Sequence, residues 1–181
     1  LYAGTGEAGP GGGSLTYGGD GVYRSRDRGR TWERLPGLER TSRIGRIVID
    51  PRDERRIWVA AVGNLFRPTT ERGLYLSEDG GDSWRKVLSG ANGRTGAVDV
   101  ALDPRNPDRL IAAMWDHQRT PEERSYNGVG SGVFRSTDGG RTWQRSGSPL
   151  LGPHPLLGRI GVAIDPQAPD TVYAVAAGHI G

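Results

Sequence analysis

Short apolar runs, rather than any helical stripe, organise this chain. Three of them end in Asp-Pro: Ile47-Val48-Ile49-Asp50-Pro51, Val100-Ala101-Leu102-Asp103-Pro104 and Val162-Ala163-Ile164-Asp165-Pro166. Seven residues after each aspartate a second run begins, at Ile57, Leu110 and Val172, and Leu1-Tyr2-Ala3-Gly4 is a further copy of it. A third element aligns without gaps from Gly21 to Trp32, Gly73 to Trp84 and Gly132 to Trp143. Its order is Gly, aliphatic, aromatic, any residue, Ser, any residue, Asp, any residue, Gly, any residue, Thr or Ser, Trp. The pattern predicts a unit of four short strands, A to D, repeating every 52 to 62 residues. Strand A ends in Asp-Pro, B is the Trp58-like run, C precedes the Ser-x-Asp box and D starts at its Trp. Runs A and B are continuously apolar rather than alternating, as expected for strands covered on both faces.

Four-stranded units at this period predict an all-β fold: a β-propeller segment of about three antiparallel blades joined through Ser-x-Asp hairpins. The strand order is B-C-D, A-B-C-D, A-B-C-D, A-B, thirteen strands in all. Blade segments are expected at 1–35, 44–88, 97–146 and 160–177. Propellers need about four to eight blades to close. The reading is therefore a partial propeller over 1–181, completed by the remaining blades of a larger parent or by other copies of the chain. A start at Leu1, with neither Met nor a leader, reads as an excised piece.

The boxes have a physical reading of their own. An Asp side chain accepts nearby backbone N–H groups and locks a turn. Gly29, Gly81 and Gly140 supply the positive φ such a turn needs, and Trp32, Trp84 and Trp143 are large apolar bodies suited to packing between blades. Asp27, Asp79 and Asp138 are thus expected to be structural rather than catalytic, and Asp79 to Asp82 is too short for a calcium loop. Asp50, Asp103 and Asp165 cap Asp-Pro turns in the same way. The three stretches from Ser25 to Trp32, Ser77 to Trp84 and Ser136 to Trp143 resemble Asp-boxes, the bacterial neuraminidase repeats of sialidases, xyloglucanases, sortilin-type receptors and photosystem assembly factors.

Loop lengths separate the two ends of the predicted blades. A–B and C–D turns are constant, whereas the B–C loops 7–20, 63–72 and 116–131 hold 14, 10 and 16 residues. Function concentrates in variable loops on a rigid scaffold. The loop face therefore supplies the candidates: Glu7, Asn64, Arg67, Glu71, Asp116, His117, Arg119, Glu122, Glu123 and Tyr126, with Arg43, Arg46, Asp99 and Arg159 from the start of A strands. Of these, Arg43, Arg46, Asp99, Asp116, Arg119 and Arg159 are the expected ligand-binding set. Arg46 and Asp99 stand four residues before their Asp-Pro in adjacent blades, so they are read either as an inter-blade ion pair or as part of a channel-mouth pocket. His117 reads as a solvated loop histidine. Gly4-Thr5-Gly6 and Gly11-Gly12-Gly13 read as turn glycines, since no helix follows to cradle a phosphate.

Composition removes several classes. With no Cys there is no disulfide framework, thiolate metal site or cysteine nucleophile. The three His have no i, i+4 spacing, so no metal or cofactor is expected. No run of 18 apolar residues marks a membrane span, so no membrane insertion is expected. Of 24 basic residues all but Lys86 are Arg, but they are interleaved with 21 carboxylates and form no block. Nucleic acid is therefore not an expected partner. Glycine and proline, 30 and 12 residues, read as turn punctuation.

Beyond the boxes, the chain resembles bacterial sortilin-like and glycosyl-hydrolase-like propeller proteins. Leu1 to Glu7, Ile44 to Pro51, Glu71 to Tyr75, Ala113-Met114-Trp115 and Gly158 to Val162 carry the likeness. The resemblance implies a secreted or periplasmic, many-bladed protein, and leaves activity open. One reading is a binding module that recognises a peptide or glycan on its loop face. The alternative is a sialidase- or xyloglucanase-like glycoside hydrolase, with catalytic carboxylates on the same face or in other blades. That chemistry needs two carboxyl groups about 5 to 9.5 Å apart, and Asp99, Asp116, Glu122 and Glu123 are the candidates. A sialidase would also bring an arginine triad and Arg-Ile-Pro ahead of the first box. Arg43, Arg46 and Arg159 imitate the triad, but this segment holds no Arg-Ile-Pro.

Overall fold

The computed structural model describes residues 1–9 and 16–178; Gly11-Gly12-Gly13 fall outside them. Its strands form four sheets arranged as blades in chain order. The first sheet holds β1 (Tyr2–Gly4), β2 (Val22–Arg24) and β3 (Glu33–Arg34). The second is four-stranded, with β4 (Ile44–Asp50), β5 (Asp53–Ala61), β6 (Gly73–Ser77) and β7 (Arg85–Leu88) side by side. The third pairs β8 (Thr95–Leu102), β9 (Leu110–Asp116), β12 (Gly132–Ser136) and β13 (Gln144–Arg145), again in chain order. The fourth is the pair β14 (Ile160–Ile164) and β15 (Val172–Ala176). Every pairing is antiparallel. The thirteen expected strands are all present. Two more, β10 (Gln118–Arg119) and β11 (Arg124–Ser125), form a hairpin inside the third B–C loop.

The continuous apolar runs have the expected cause. In β5, Ile57, Val59 and Ala61 join Ile44 of β4 in packing against Val22, Leu35 and Leu38 on the side of the first blade. Its alternate residues Trp58 and Ala60 pack against Ala97, Val100, Leu110, Ala112 and Met114 of the third blade. Period-two alternation thus feeds two different cores, and both faces must be apolar. A third core joins Val98, Ala113, Trp115 and Val133 of the third blade to Ile160 and Val162 of the fourth. Strand β15 departs from the pattern. Val172, Tyr173 and Val175 are exposed, and among the described residues β15 pairs with β14 alone.

The three box hairpins share one geometry. The Ser136 hydroxyl donates to Asp138 Oδ1 at 2.7 Å and accepts Gly140 N–H at 2.8 Å. Asp138 also accepts Thr142 N–H at 2.9 Å and its hydroxyl at 2.6 Å. Ser25, Asp27 and Thr31 repeat this set, as do Ser77, Asp79 and Ser83. Gly29, Gly81 and Gly140 have φ of 88°, 98° and 83°. The preceding position is also left-handed in all three, as Gly80, Gly139 and, in the first hairpin, Arg28 at φ 63°. Trp84 and Trp143 each pack onto the preceding seam, whereas Trp32 is 42% exposed.

At the box end an arginine ties each blade to the next. Arg56 reaches Asp50 of its own blade at 3.2 Å, Asp108 of the third at 3.0 Å and the Gly139 carbonyl at 3.1 Å. Arg109, at the equivalent position, meets Asp103 at 3.4 Å and Asp170 of the fourth blade at 2.6 Å.

Candidate functional site

The B–C loops and D–A connections meet at the opposite end. The first B–C loop crosses it: Ala8 packs beside the seam between the third and fourth blades. A Cβ on Gly9 would collide with the Arg159 guanidinium. The third loop crosses the second, with Arg119 N–H donating to Leu65 O at 2.7 Å. Loops from three blades and an arginine of the fourth therefore converge at this end.

Arg43 lies beneath this convergence, only 1% exposed. Its guanidinium donates to Ser42 Oγ at 2.9 Å and Thr16 O at 3.3 Å, and lies 5.4 Å from the centre of the Phe66 ring. Burial lowers its pKa; Glu7 opposes that and Arg119 adds to it. Arg72, also buried, donates to the carbonyls of Arg94, His117 and Asn64 and so staples the second loop to the third. Burial lowers its pKa to about 10, against the attraction of Asp116. Arg119 is buried beside this group, while Arg159 is exposed at the rim.

Arg46 and Asp99 form an inter-blade ion pair at 2.9 Å. Asp99 sits at a bulge in β8, where register shifts between Ala97 and Asp99. Its second oxygen accepts Val162 N–H at 2.9 Å, so one carboxylate links three A strands. Asp116 is fully buried. It accepts Asn92 Nδ2 at 3.1 Å and Gly130 N–H at 3.3 Å, and Arg94 Nε lies 3.5 Å from it. Arg94 in turn holds Glu123 at 2.6 Å, and Arg40 pairs with Glu71 at 3.4 Å.

His117 is the clear correction to the sequence reading. It is not solvated: it is 0% exposed, stacked on Trp115 with ring centres 4.1 Å apart and planes 3° apart. Tyr126 lies 5.1 Å away on the outer side, and Ser125 O accepts from Nδ1 at 2.7 Å. Burial pushes its pKa down to about 4, helped by Arg72, Arg119 and Arg43 and opposed by the Ser125 bond. Position in a polar loop concealed this; the neighbouring Trp115 and Tyr126 were the only available signal.

Sequence reasoning also passed over two rings. Tyr17, Phe66 and Tyr126 lie one in each successive B–C loop and are 74%, 47% and 44% exposed. Single exposed aromatics are unremarkable, but one in each of three successive B–C loops gives this end three rings suited to stacking on flat apolar faces. Among the described residues no three His, Asp or Glu side chains are grouped to hold a metal ion, and no helix is long and apolar enough to cross a membrane.

The family model described as Sortilin, neurotensin receptor 3 (Sortilin-Vps10) matches residues 20–151, most of the chain. The chain belongs to the Sortilin-Vps10 family. This family member is also similar to a xyloglucanase from Acetivibrio thermocellus, 33% identical over 78% of this chain and 18% of the relative. A xyloglucanase from a Paenibacillus species is 30% identical over 67% of this chain and 13% of the relative. The Sortilin-Vps10 chain therefore spans under a fifth of these relatives. Among solved structures it resembles an ancestral GH74 enzyme (TM-score 0.65, 22% identity), covering 90% of this chain and 20% of that one. The Niastella koreensis GH74 enzyme gives 0.60 and 20%, covering 90% and 25%. These likenesses show the fold: an all-β propeller segment.

Proposed function

We propose that this chain is a carbohydrate-binding segment of an extracytoplasmic propeller, its glycan lying across the loop face. The observation that carries the reading is the exposure of three rings, Tyr17, Phe66 and Tyr126, one per B–C loop. Rings of this kind stack on the apolar faces of sugars. Two of the three are braced: the Trp115–His117 stack backs Tyr126, and Arg43 lies under Phe66. The similarity to two xyloglucanases favours a glycan over a peptide. Xyloglucan oligosaccharides titrated by calorimetry into the 181-residue chain and into Tyr17→Ala, Phe66→Ala and Tyr126→Ala test this. Each substitution is expected to weaken binding about three- to tenfold. Unchanged affinity in all three would remove the loop face from recognition.

The second reading, a glycoside hydrolase, draws on the same relatives. Asp99 is a poor candidate for it within this chain, because both its oxygens have partners in the fold; Asp116 is fully buried, with Oδ2 held by Asn92 and Gly130. In this reading the catalytic carboxylates come from Glu7, Glu122 or Glu123, or from other blades.

A further inference from the structure

We infer that the outer edge of the fourth sheet is a docking site for a Ser-x-Asp β-hairpin of a partner polypeptide, added to β15 as its next two strands. Among the described residues β15 pairs with β14 alone. The Asp-Pro spacing makes Val172, Ala174 and Ala176 the counterparts of Ile57, Val59 and Ala61 in β5, and of Leu110, Ala112 and Met114 in β9. Those six residues are at most 1% exposed, whereas Val172 and Ala174 lie open. One register covers them in both four-stranded sheets. Ser77 and Ser136 pair with Ile57 and Leu110, and the aromatic residues Tyr75 and Phe134 pair with Val59 and Ala112. Ala3 of β1 likewise meets Tyr23. The same register on β15 sets a serine against Val172 and an aromatic residue against Ala174.

The aromatic ring has a place to go. A groove of about 410 Å³ runs between β15 and the third sheet, with Val172 and Ala174 on one side and Ile111, Val133 and Leu151 on the other. The corresponding seams are filled: Tyr75 and Trp84 pack into the first, Phe134 and Trp143 into the second. The turn of the hairpin is matched as well. Gly80 N–H donates to Arg55 O at 2.8 Å, and Gly139 N–H to Asp108 O at 2.9 Å. Each of these carbonyls lies two residues before Ile57 or Leu110, and Asp170 holds that place before Val172. The carbonyls of the same two glycines accept across a seam, Gly80 from Arg24 at 2.8 Å and Gly139 from Arg56 at 3.1 Å. Arg135, the repeat counterpart of Arg24, lines the groove, and Arg109 is the counterpart of Arg56. Any extended peptide could add backbone hydrogen bonds to a sheet edge. A bare strand would neither fill the groove with two rings nor offer a glycine carbonyl to either arginine, so the observations favour a box hairpin.

The test uses the 181-residue chain, which has no cysteine, and a synthetic peptide copying its own second hairpin, Gly73 to Leu88. In the second sheet Leu76 pairs with Trp58 and Leu74 with Ala60, whose counterparts in β15 are the exposed Tyr173 and Val175. Tyr173→Cys should form a disulfide with the Leu76→Cys peptide and not with the Leu74→Cys peptide. Val175→Cys should do the reverse, since a single register brings only those pairs within bonding distance. Cross-linking with oxidised glutathione captures weak complexes, so a peptide that folds only on the chain still reports. Tyr75→Ser with Trp84→Ser in the peptide, or Ala174→Arg in the chain, should each cut capture at least about tenfold. Excess peptide should also disperse self-association through β15. No capture, equal capture at both positions, or capture of a scrambled peptide as readily overturns the docking site. So does a chain that stays self-associated in excess peptide, for then a second copy is the occupant.

Discussion

Arg28 shows how strictly the box turn is specified. The second and third hairpins place Gly80 and Gly139 at this left-handed position, whereas the first holds an exposed arginine at φ 63°. A side chain there costs about 1 to 2 kcal/mol, and glycine's larger unfolded entropy returns part of that advantage. Arg28→Gly should therefore raise stability by up to about 1 kcal/mol in chemical denaturation. An unchanged or lower midpoint would show that the turn carries no strain. Asp138→Ala is expected to do the reverse. It strips acceptors from Thr142 N–H, the Thr142 hydroxyl and the Ser136 hydroxyl, lowering the melting temperature while glycan affinity in the folded fraction stays as it was. A variant with normal melting and abolished binding would put function in the box itself. The boxes' spacing was readable from the sequence because it is local. The serine's part, accepting the glycine N–H in every box, was not, since only the aspartate stands out by its chemistry.

The B–C loops were legible in their lengths but not in what they enclose. Asp116, His117 and Arg119 look like surface residues in a polar stretch, and burial comes only when the β10–β11 hairpin folds over the second loop. Arg46 and Asp99 were read as equivalent positions in neighbouring blades, and repeat spacing sufficed to bring them together. His117 gives the loops a pH response. Its pKa falls from an ordinary value near 6.5 to about 4, so between those values the unfolded chain binds a proton that the folded chain refuses. The facing cations Arg72, Arg119 and Arg43 reinforce the refusal. Stability is full above about pH 6.5 and declines by about 3 kcal/mol as pH drops to about 4, with no further loss from this group below that. Comparing His117→Gln with the parent across this range isolates the contribution. Parallel pH profiles would exclude it.

At the scale of the molecule, three apolar seams alternate with four sheets, and that layering follows from doubly apolar A and B strands. The fourth sheet stops at two strands, and Val172, Tyr173 and Val175 lie exposed along it. An unpaired apolar edge templates pairing with other chains. The 181-residue chain is expected to self-associate with rising concentration, and Val175→Lys to suppress this. Light scattering that reports a monomer at every concentration would count against the expectation.

The arginine ties at the box end have a consequence for blade order. Each tie runs one way: Arg56 of the second blade takes Asp108 of the third, and Arg109 of the third takes Asp170 of the fourth. The receiving aspartate stands five residues after each Asp-Pro aspartate, and in the second blade that place is occupied by Arg55. Were the second and third blades transposed, Arg109 would face Arg55, cation against cation. Blades of one repeat family are thus not interchangeable modules here. Their sequence of assembly is written into the junctions as a polarity, and a shuffled or circularly permuted chain would have to respect it.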